Sequence, residues 1–474
     1  MPLTPADDRR LPAGRRRTLI AYAAMTLAAA LIYGMITVYG NGLNPLTEPF
    51  QSESREPSGS SRSDVLRHVL VALAAVIVTG RIVGGLFRYL GQPPVIGEVL
   101  AGIVLGPSLL GRISPELSTW LLPPSVAPHL GVLAQVGVIL YMFLVGLELD
   151  IDELRRHGAS TAAISHASIV APFLLGGALA LALYPRYSSG VPFSVFALFL
   201  GVAMSVTAFP VLARILTDHG LNRTHLGTVA LASAAIDDAT AWCLLAFVVG
   251  VAQSEMGGAV QVVGLALGYL MIMFLVVRPA LLRLAPRIIH GQPDRAALAV
   301  VLLGLLLSAI ATELIGVHAL FGAFVFGAVI PHDSGLARDL TRKLEDFVAV
   351  LLLPAFFAFA GMRTQIGLVS GWENWLWCGA IILVATVGKF GGTVAAARFT
   401  GLGWRDASSL GILMNTRGLM ELIVLNIGLD LGVISPTLFA MMVIMALVTT
   451  IATTPILCLI WPAARQGNTS HAAD

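Results

Sequence analysis

The chain has 474 residues, of which 57% are hydrophobic and 12% are charged, with a formal net charge of +2 and a mean hydropathy of +0.84. Soluble globular domains carry about 25% charged residues, so this composition excludes a soluble enzyme and a nucleic-acid-binding module. It also excludes a membrane β-barrel, because the apolar runs are continuous over about twenty residues rather than alternating over about ten. We therefore predict an all-α, polytopic membrane protein.

Fourteen apolar segments follow one another along the chain. The first comes after the basic stretch RRLPAGRRR (9–17) and is long for a signal peptide, so both an added anchor and a long cleaved signal stay open. We predict three regions: 1–63, with the basic N-terminus, this extra helix and a polar linker; 64–461, a thirteen-helix membrane domain; and 462–474, a short cytoplasmic tail with no regulatory domain after it. The segments are 18–39, 64–89, 94–111, 130–150, 160–184, 192–217, 223–252, 258–285, 295–315, 317–331, 343–365, 374–399, 405–430 and 435–461.

Basic residues alternate between the two sides of this predicted topology. Cytoplasmic connections of membrane proteins carry an excess of Lys and Arg, and with a cytoplasmic N-terminus every second connection is rich in Arg. Both termini are then predicted to be cytoplasmic, in a plasma (inner) membrane. The predicted inner connections contain Arg88, Arg155, Arg156, Arg223, Arg283, Arg287, Arg295, Arg338, Arg342, Lys343, Arg398 and Arg405.

The two halves of the chain resemble each other. GEVLAGIVLGP (97–107) aligns with HALFGAFVFGAVIP (318–331) when Gly97 is placed on His318, and FLVGLELDI (143–151) aligns with FAFAGMRTQI (357–366). The alignment places Gly146 at a predicted inner helix end and Gly361 at an outer one, so the repeat is inverted. Inverted repeats with interrupted helices at matching positions are typical of secondary transporters, whose binding site lies near the midplane.

Each half contains one interrupted apolar segment. In SVTAFPVLARIL (205–216), Ser205, Thr207 and Pro210 lie in mid-segment, and proline removes a backbone donor. A break near 206–209 would free carbonyl groups for a cation; the alternative is a proline kink satisfied by the hydroxyl groups. The matching stretch of the second half is MNTRGLMELIVL (414–425).

An opposite-charge pair, Arg417 and Glu421, lies four residues apart in that second stretch, next to Asn415 and Thr416. We favour a structural role for this pair, which would close off a broken helix end. Lys389, in VGKFGG, is the one lysine of two that lies far from a predicted helix end. Unlike arginine, a buried lysine can lose its proton, so Lys389 is a candidate both for proton exchange and for a static counter-charge.

Two adjacent carboxylates, Asp237 and Asp238, lie in the apolar run LASAAIDDATAWCLLAFVVG (231–250). Each costs about 2.5–3.5 kcal/mol at the bilayer centre, so the pair requires a function. Adjacent helical residues point about 100° apart, so the two side chains face different partners. Neighbouring carboxylates resist double ionisation, and carboxylate, hydroxyl and carbonyl oxygens are ligands for hard cations. The pair therefore predicts a site that holds either protons or a small cation.

Three further polar positions and the cysteines carry weaker signals. Glu98, Glu313 and His318 either line an ion path or pack near an interface. Cys243, Cys378 and Cys458 have no paired spacing, and we interpret them as small buried residues rather than as metal ligands or disulfides. No His or Cys lies at ligand spacing near the aspartates, so we expect no cofactor and no fixed metal.

Eight stretches between residues 65 and 461 resemble, in order, motifs of the cation:proton antiporter-2 family of monovalent cation/proton antiporters. They are VIGEVLAGIVLGPSLLG, YMFLVGLELDID, SVTAFPVLARIL, SAAIDD, GVHALFGAFVFGAVIP, LPAFFAFAGMRTQI, VGKFGG and NTRGLMELIV. The resemblance implies an inverted-repeat antiporter fold of thirteen helices, with a core domain, a dimerisation domain and two crossed broken helices. It also implies a homodimer in the lipid bilayer whose core moves elevator-like against the dimer scaffold.

The same resemblance assigns roles to individual residues. It makes Asp238 the principal ion and proton carboxylate and places Thr207 at the unwound crossover. With Asp237, and with Ser205 from the predicted break, these residues form the predicted ion- and proton-binding set. Asp237 takes a position where the family has Asp or Asn, and members with two aspartates tend to be electrogenic. We therefore expect Asp237 to pair with the lysine and to carry a second proton. Lys389 matches a membrane lysine that pairs with Asp237 and shares in proton exchange.

The predicted function is therefore antiport of a monovalent cation and H⁺, without catalytic residues and without nucleic acid as a partner. Na⁺ is the favoured cation, and K⁺ and Li⁺ stay open because ligand identities do not fix the cavity size. The alternatives are a K⁺/H⁺ exchanger of the same fold and a channel-like potassium efflux pathway. The inverted repeat and the titratable residues favour alternating access over a channel. Glu421, Arg417, Asn415 and Glu98 complete the predicted set as supporting intramembrane polar residues.

Overall fold

The computed structural model describes residues 13–44, 62–123, 125–148, 158–221, 224–253, 258–282, 295–331 and 334–461. Predictions about the basic N-terminus before residue 13, most of the polar linker and the tail from 462 lie outside the described residues. The described residues are almost entirely helical, as the composition predicts. The helices are α1 Ala13–Gly40, α2 Arg62–Tyr89, α3 Pro94–Leu105, α4 Leu110–Ile113, α5 Pro115–Leu121, α6 Ala127–Glu148, α7 Gly158–Tyr187, α8 Phe193–Ser205, α9 Phe209–Asp218, α10 His225–Gln253, α11 Gly258–Ile272, α12 Arg295–Ile315, α13 Ala319–Val329, α14 Gly335–Phe347, α15 Leu353–Arg363, α16 Trp372–Phe399, α17 Trp404–Met414, α18 Leu419–Asp430 and α19 Pro436–Ile460.

Two π-helical turns join or extend these helices. Met273–Val277 follows α11, and Val348–Leu352 connects α14 to α15 without a loop. Twelve helical runs in the described residues are long and apolar enough to cross a membrane, and α17 and α18 make a thirteenth span across their bend of 44°. The short apolar helix α13 corresponds to the segment predicted at 317–331. Each of the fourteen apolar segments found in the sequence therefore contains a helix.

Proline determines several of the helix ends. Pro94 and Pro436 begin α3 and α19 at positions where the missing N–H costs nothing. At the other end of α3, Gly106 is extended and Pro107 follows, so the helix stops at Leu105 although the apolar run continues. A residue before proline avoids the α region, which explains why α3 is shorter than the predicted segment 94–111.

Close glycine contacts relate the two halves of the chain. Gly361 on α15 packs against Gly102 and Gly106 at the end of α3, and the backbone of α3 leaves no room for a Cβ. In the matching contact, Gly146 on α6 packs against Gly327 and the neighbouring backbone of α13. The sequence alignment pairs Gly106 with Gly327 and Gly146 with Gly361. Each half thus contributes one helix to each contact, as expected for two intertwined repeats.

The helices form two packed groups. In one group, α7 packs against α8, α10 and α16, and α19 packs against α16, α17 and α18; we call these helices, together with α9, the core. In the other group, α3 packs against α2 and α15, and α6 packs against α13 and α15; we call these helices, together with α12, the scaffold. The extra helix α1 lies on the core, where the Tyr33 hydroxyl donates to the Ser194 carbonyl at 3.2 Å.

The cysteines differ in their exposure. Cys378 is buried, as predicted, and the three cysteines form no disulfide among the described residues. The prediction of a buried side chain is wrong for Cys243, which is exposed on α10. An exposed position on a membrane helix faces lipid, where a weakly polar thiol is as acceptable as in a protein core.

Candidate functional site

The two interrupted segments are real breaks, and they touch each other. In the first break, α8 ends at Ser205 and α9 begins at Phe209. Between them, Val206 and Ala208 have extended backbones. The break predicted near 206–209 is confirmed, and Pro210 starts a new helix rather than kinking a continuous one. In the second half, residues 415–418 separate α17 from α18. The backbone N–H of Ala208 donates to the Thr416 carbonyl at 3.0 Å, which joins the two breaks directly.

The buried arginine of the second break closes the end of the first broken helix. One terminal nitrogen of Arg417, Nη1, donates to the Ala203 carbonyl at 3.0 Å, and Nη2 donates to the Met204 carbonyl at 2.6 Å. These carbonyls belong to the last turn of α8, where intrahelical partners are missing. The same guanidinium forms an ion pair with Glu421 at 2.7 Å, and both side chains are fully buried. The geometry fits the structural role favoured from the sequence.

A threonine on α19 satisfies the backbone of the second break. The Thr450 hydroxyl accepts from the Arg417 N–H at 2.9 Å and donates to the Arg417 carbonyl at 2.8 Å. It lies 33 residues after Arg417, much as Asp237 lies 30 residues after Thr207 at the first break. A hydroxyl of α19 thus satisfies the second break, and a carboxylate of α10 accepts from Thr207 at the first.

Asp237 is fully buried and accepts four hydrogen bonds. Its Oδ2 accepts from the Thr207 hydroxyl at 2.5 Å and from the Lys389 ammonium at 2.6 Å. Its Oδ1 accepts from two serines of α7, Ser168 at 2.9 Å and Ser165 at 3.1 Å. Four donors and an opposite charge are what a buried carboxylate needs to remain ionised without water. The expected pairing of Lys389 with Asp237 is confirmed.

Lys389 and the unwound segment are bonded to this carboxylate rather than to its neighbour. The Lys389 ammonium also donates to the Ser205 carbonyl at 2.5 Å, at the open end of α8. Thr207 and Ser205, predicted around the ion, are thus both brought to the Asp237–Lys389 pair. The Ser205 hydroxyl itself bonds backbone carbonyls, those of Gly201 at 2.7 Å and Ile169 at 3.0 Å.

Asp238 has the opposite environment. It is 3% exposed, and neither of its carboxylate oxygens has a hydrogen-bond partner of good geometry among the described residues. The backbone N–H of Phe209, at the start of α9, and the Lys389 ammonium are close enough to act on its charge. Tyr141, on the scaffold helix α6, is also within electrostatic range. Asp238 therefore lies near the boundary between core and scaffold with both oxygens available.

The other predicted residues are distributed differently. The side-chain oxygen of Asn415 is buried at the second break and, in the described part of the chain, has no partner. Glu98 lies on α3 against Gly80 and Gly84 of α2, with Arg81 in electrostatic range, and no contact joins it to the aspartates. Among the described residues, no cluster of three or more His, Cys, Asp or Glu could hold a metal ion.

Glu313 and His318 line a cavity of about 200 Å³ between scaffold and core. Glu313 accepts from the Ala319 N–H at 2.8 Å, and the His318 ring accepts from the Leu320 N–H at 3.4 Å, so both cap α13. On the core side of the cavity, Asp430 and Asn426 accept from Arg363 of the scaffold. By the predicted topology this is the outer face, and Arg363 ties the end of α18 to the scaffold.

Sequence reasoning missed Ser165, Ser168 and Thr450. Hydroxyl groups on membrane helices usually bond the backbone of their own helix, so these residues gave no separate signal. For the serines, residues 69 and 72 positions before Asp237, nothing in the sequence marks the pairing.

Comparison with known proteins identifies the family. The profile of the transmembrane sodium/hydrogen exchanger family matches residues 72–459. The chain belongs to this family. It is a family of transporters rather than enzymes, which agrees with the buried charges, the two broken helices and the repeat.

Individual relatives agree with this assignment. The chain is 43% identical to the Na⁺/H⁺ antiporter NhaS4 of Synechocystis sp. over 85% of this chain and 99% of that protein. It is 40% identical to cation/H⁺ antiporter 19 of Arabidopsis thaliana, over 84% of this chain and 50% of the relative. It is 36% identical to K⁺/H⁺ antiporter 1 of Saccharomyces cerevisiae, over 79% of this chain and 44% of the relative. The chain thus spans nearly all of the first relative but only about half the length of the other two.

A solved structure shares the fold. The sodium proton antiporter MjNhaP1 from Methanocaldococcus jannaschii superposes with a TM-score of 0.61, at 16% sequence identity, over 84% of this chain and 98% of that chain. The all-α inverted-repeat antiporter fold predicted from the sequence is therefore confirmed.

Proposed function

We propose that this chain exchanges a monovalent cation for protons across the membrane, and that the two compete for Asp238. The observation that carries the proposal is the contrast between two adjacent buried carboxylates. One has four hydrogen-bond donors, and the other has none of good geometry among the described residues. A buried carboxylate without partners is costly unless it is protonated or holds a cation. Because Asp238 cannot hold both at once, binding of the cation displaces the proton.

The surroundings of Asp238 suit a small hard cation. Free oxygens are present on Asp238 and on Asn415, and the two breaks bring unwound backbone into the same part of the core. The N-terminus of α9 lies beside the carboxylate, and its partial positive charge favours the ionised form. Oxygen ligands of this kind suit alkali cations rather than transition metals.

Na⁺ is the favoured cation, with Li⁺ as a further candidate. NhaS4, the relative aligned over nearly its full length, is named a Na⁺/H⁺ antiporter. K⁺/H⁺ antiporter 1 of yeast is 36% identical and supports K⁺/H⁺ exchange as the second candidate. A channel-like potassium pathway has less support, because a channel needs neither a titratable ion pair nor two broken helices.

Exchange is proposed to be electrogenic. In this proposal, a second titratable site beside Asp238, the Asp237–Lys389 pair, allows more than one proton to move per cation. Among the described residues, Lys389 is the only lysine whose ammonium group is bonded to a carboxylate inside the core.

Alternating access is proposed to follow from movement of the core against the scaffold. The breaks, both aspartates and Lys389 belong to the core, whereas Tyr141, within electrostatic range of Asp238, belongs to the scaffold. We further propose a homodimer formed through the scaffold.

The antiporter domain is proposed to span 64–461, with α1 as an added helix. The protein is proposed to lie in a plasma (inner) membrane with cytoplasmic termini, and the Arg-rich connections support that orientation.

Flux measurements in proteoliposomes test the proposal. Purified protein is reconstituted with an internal pH indicator, and Na⁺, K⁺ or Li⁺ is added outside at a fixed pH gradient. Saturable, cation-dependent proton flux that is lost in Asp238→Asn supports antiport. Cation conductance without proton movement would favour a channel and would overturn the proposal.

A further inference from the structure

Two serines of the core contact the same carboxylate oxygen, and the proposed exchange does not explain these contacts. Ser165 and Ser168 lie one turn apart on α7, and both hydroxyl groups donate to Asp237 Oδ1. Both side chains are fully buried. The Ser165 carbonyl, the usual kind of partner for a hydroxyl on a helix, lies 2.8 Å from the Ser168 hydroxyl and competes with Asp237 for its one proton. The charged acceptor forms the stronger hydrogen bond, so the proton is expected to point to Asp237 Oδ1.

We infer that Ser165 and Ser168 are positioning residues that keep Asp237 ionised throughout the exchange cycle, which leaves Asp238 and Lys389 to take up and release protons. The inference rests on the proposed antiport. It differs from the expectation that Asp237 itself carries the second proton. It also assigns a role to α7, a helix that carries none of the residues predicted from the sequence.

Geometry separates the functions of the two aspartates. With donors on both oxygens, Asp237 has no lone pair directed at an open space, and a proton on either oxygen would displace an existing bond. The charged groups around it are the Lys389 ammonium on α16, the neighbouring Asp238 on its own helix, and Arg417 at the second break, which acts on Lys389. From α7 and from the first break, the groups that face it are neutral hydroxyls.

The proton balance of the exchange is then simple. The protonated Asp238 carboxyl group releases its proton as the cation binds, and the carboxylate and the cation together are neutral. Lys389 releases its proton when the neighbouring cation raises the local positive charge, and it regains that proton when the cation leaves. Asp237 stays an anion in both states and keeps Lys389 in place through the 2.6 Å contact.

The test replaces both serines. The double variant Ser165→Ala, Ser168→Ala removes two donors from Asp237 Oδ1 and leaves Thr207 and Lys389. Two hydrogen bonds to a charged group correspond to at least about one pH unit, so in the variant Asp237 is expected to take up a proton on the acidic side of the working range. Protonated Asp237 no longer holds Lys389, so the pH midpoint of exchange is expected to move toward alkaline pH. The double variant Ser165→Thr, Ser168→Thr keeps both hydroxyl groups and is expected to retain the parent midpoint.

A matched control is available on a neighbouring core helix. Ser409 on α17 is equally buried, and within the described residues its hydroxyl has no partner. Ser409→Ala is expected to leave the pH midpoint unchanged. A purely structural role of the α7 serines would lower the yield or the maximal rate in the double alanine variant without moving the midpoint, and this result would overturn the inference.

Infrared difference spectroscopy supplies a second readout that does not depend on transport. Acidification of the parent protein is expected to produce a carboxylic acid band that Asp238→Asn removes and Asp237→Asn leaves in place. The double alanine variant is expected to show an additional band, which Asp237→Asn then removes. A parent band that disappears in Asp237→Asn would contradict the inference even if exchange is intact. Absence of any cation-driven proton flux in the parent would instead contradict the proposed function.

Discussion

A buried and an exposed ion pair of the same spacing give the sharpest test of the structural reasoning. Arg417 and Glu421 are fully buried, whereas Arg214 and Asp218 on α9 form an i,i+4 pair at 3.0 Å that is 54% and 39% exposed. Removing one partner of a buried pair costs about 3–5 kcal/mol because the other charge is left unpaired. An exposed pair contributes about 0–1 kcal/mol.

The perturbation is Arg417→Met, with Arg214→Met as its control. The first change removes two bonds to the carbonyls at the end of α8 and leaves Glu421 without its partner. We expect the free energy of unfolding to fall by about 3–5 kcal/mol for Arg417→Met and by less than about 1 kcal/mol for Arg214→Met. The assay is denaturant unfolding of the protein in detergent micelles, followed by tryptophan fluorescence.

A double variant separates the ion pair from the capping bonds. Arg417→Met with Glu421→Met removes the orphaned carboxylate, so it should be more stable than Arg417→Met alone by about 0.5–3 kcal/mol. Equal losses in the buried and exposed pairs would refute the reasoning. Complete loss of exchange in a well-folded double variant would refute the structural role and place the pair in the ion path.

Three further outcomes follow from the site. Asp238→Asn should abolish exchange with little loss of stability, because the carboxylate has no bond of good geometry to lose among the described residues; a large drop in the unfolding midpoint would contradict this. Thr207→Val should slow exchange because Asp237 Oδ2 then keeps only its Lys389 donor, whereas Thr207→Ser should exchange at about the parent rate, as measured in proteoliposomes. Arg363→Gln releases Asp430 from the scaffold. Because an exposed pair contributes about 1 kcal/mol, the ratio of apparent cation affinities on the two sides of the membrane should change by up to about fivefold. An unchanged ratio would argue against movement at this boundary.

Much of the fold could be predicted because bilayer thickness imposes it. A run of about twenty apolar residues has few alternatives to a spanning helix. In the described residues thirteen of the fourteen predicted segments contain a span, counting the bent pair α17 and α18, whereas 317–331 contains the shorter helix α13. Helix ends were less predictable where local backbone chemistry competes with hydropathy, as at Gly106 and Pro107 after α3. Glycine positions revealed the repeat because close backbone contacts tolerate no side chain, and Gly146 and Gly361 indeed make matching contacts.

The site was predicted only in part, since sequence identifies costly residues rather than their partners. Asp237, Asp238 and Lys389 were evident because a charge in an apolar run requires an explanation. Which aspartate contacts the lysine depends on helix rotation, and the sequence supported that pairing only through a family resemblance. Ser165 and Ser168 are inexpensive in a membrane helix, so their bonds to Asp237 became visible only in three dimensions.

The most direct test of the central claim is a titration of cation binding against pH. The detergent-solubilised protein is titrated with NaCl and then with KCl by isothermal titration calorimetry. Each titration is repeated in buffers of different ionisation enthalpy, which yields both the affinity and the number of protons released. Competition at Asp238 predicts proton release on cation binding and an affinity that weakens about tenfold per pH unit on the acidic side for each proton displaced. Both effects should vanish in Asp238→Asn. Cation binding that releases no protons and is independent of pH would contradict the account.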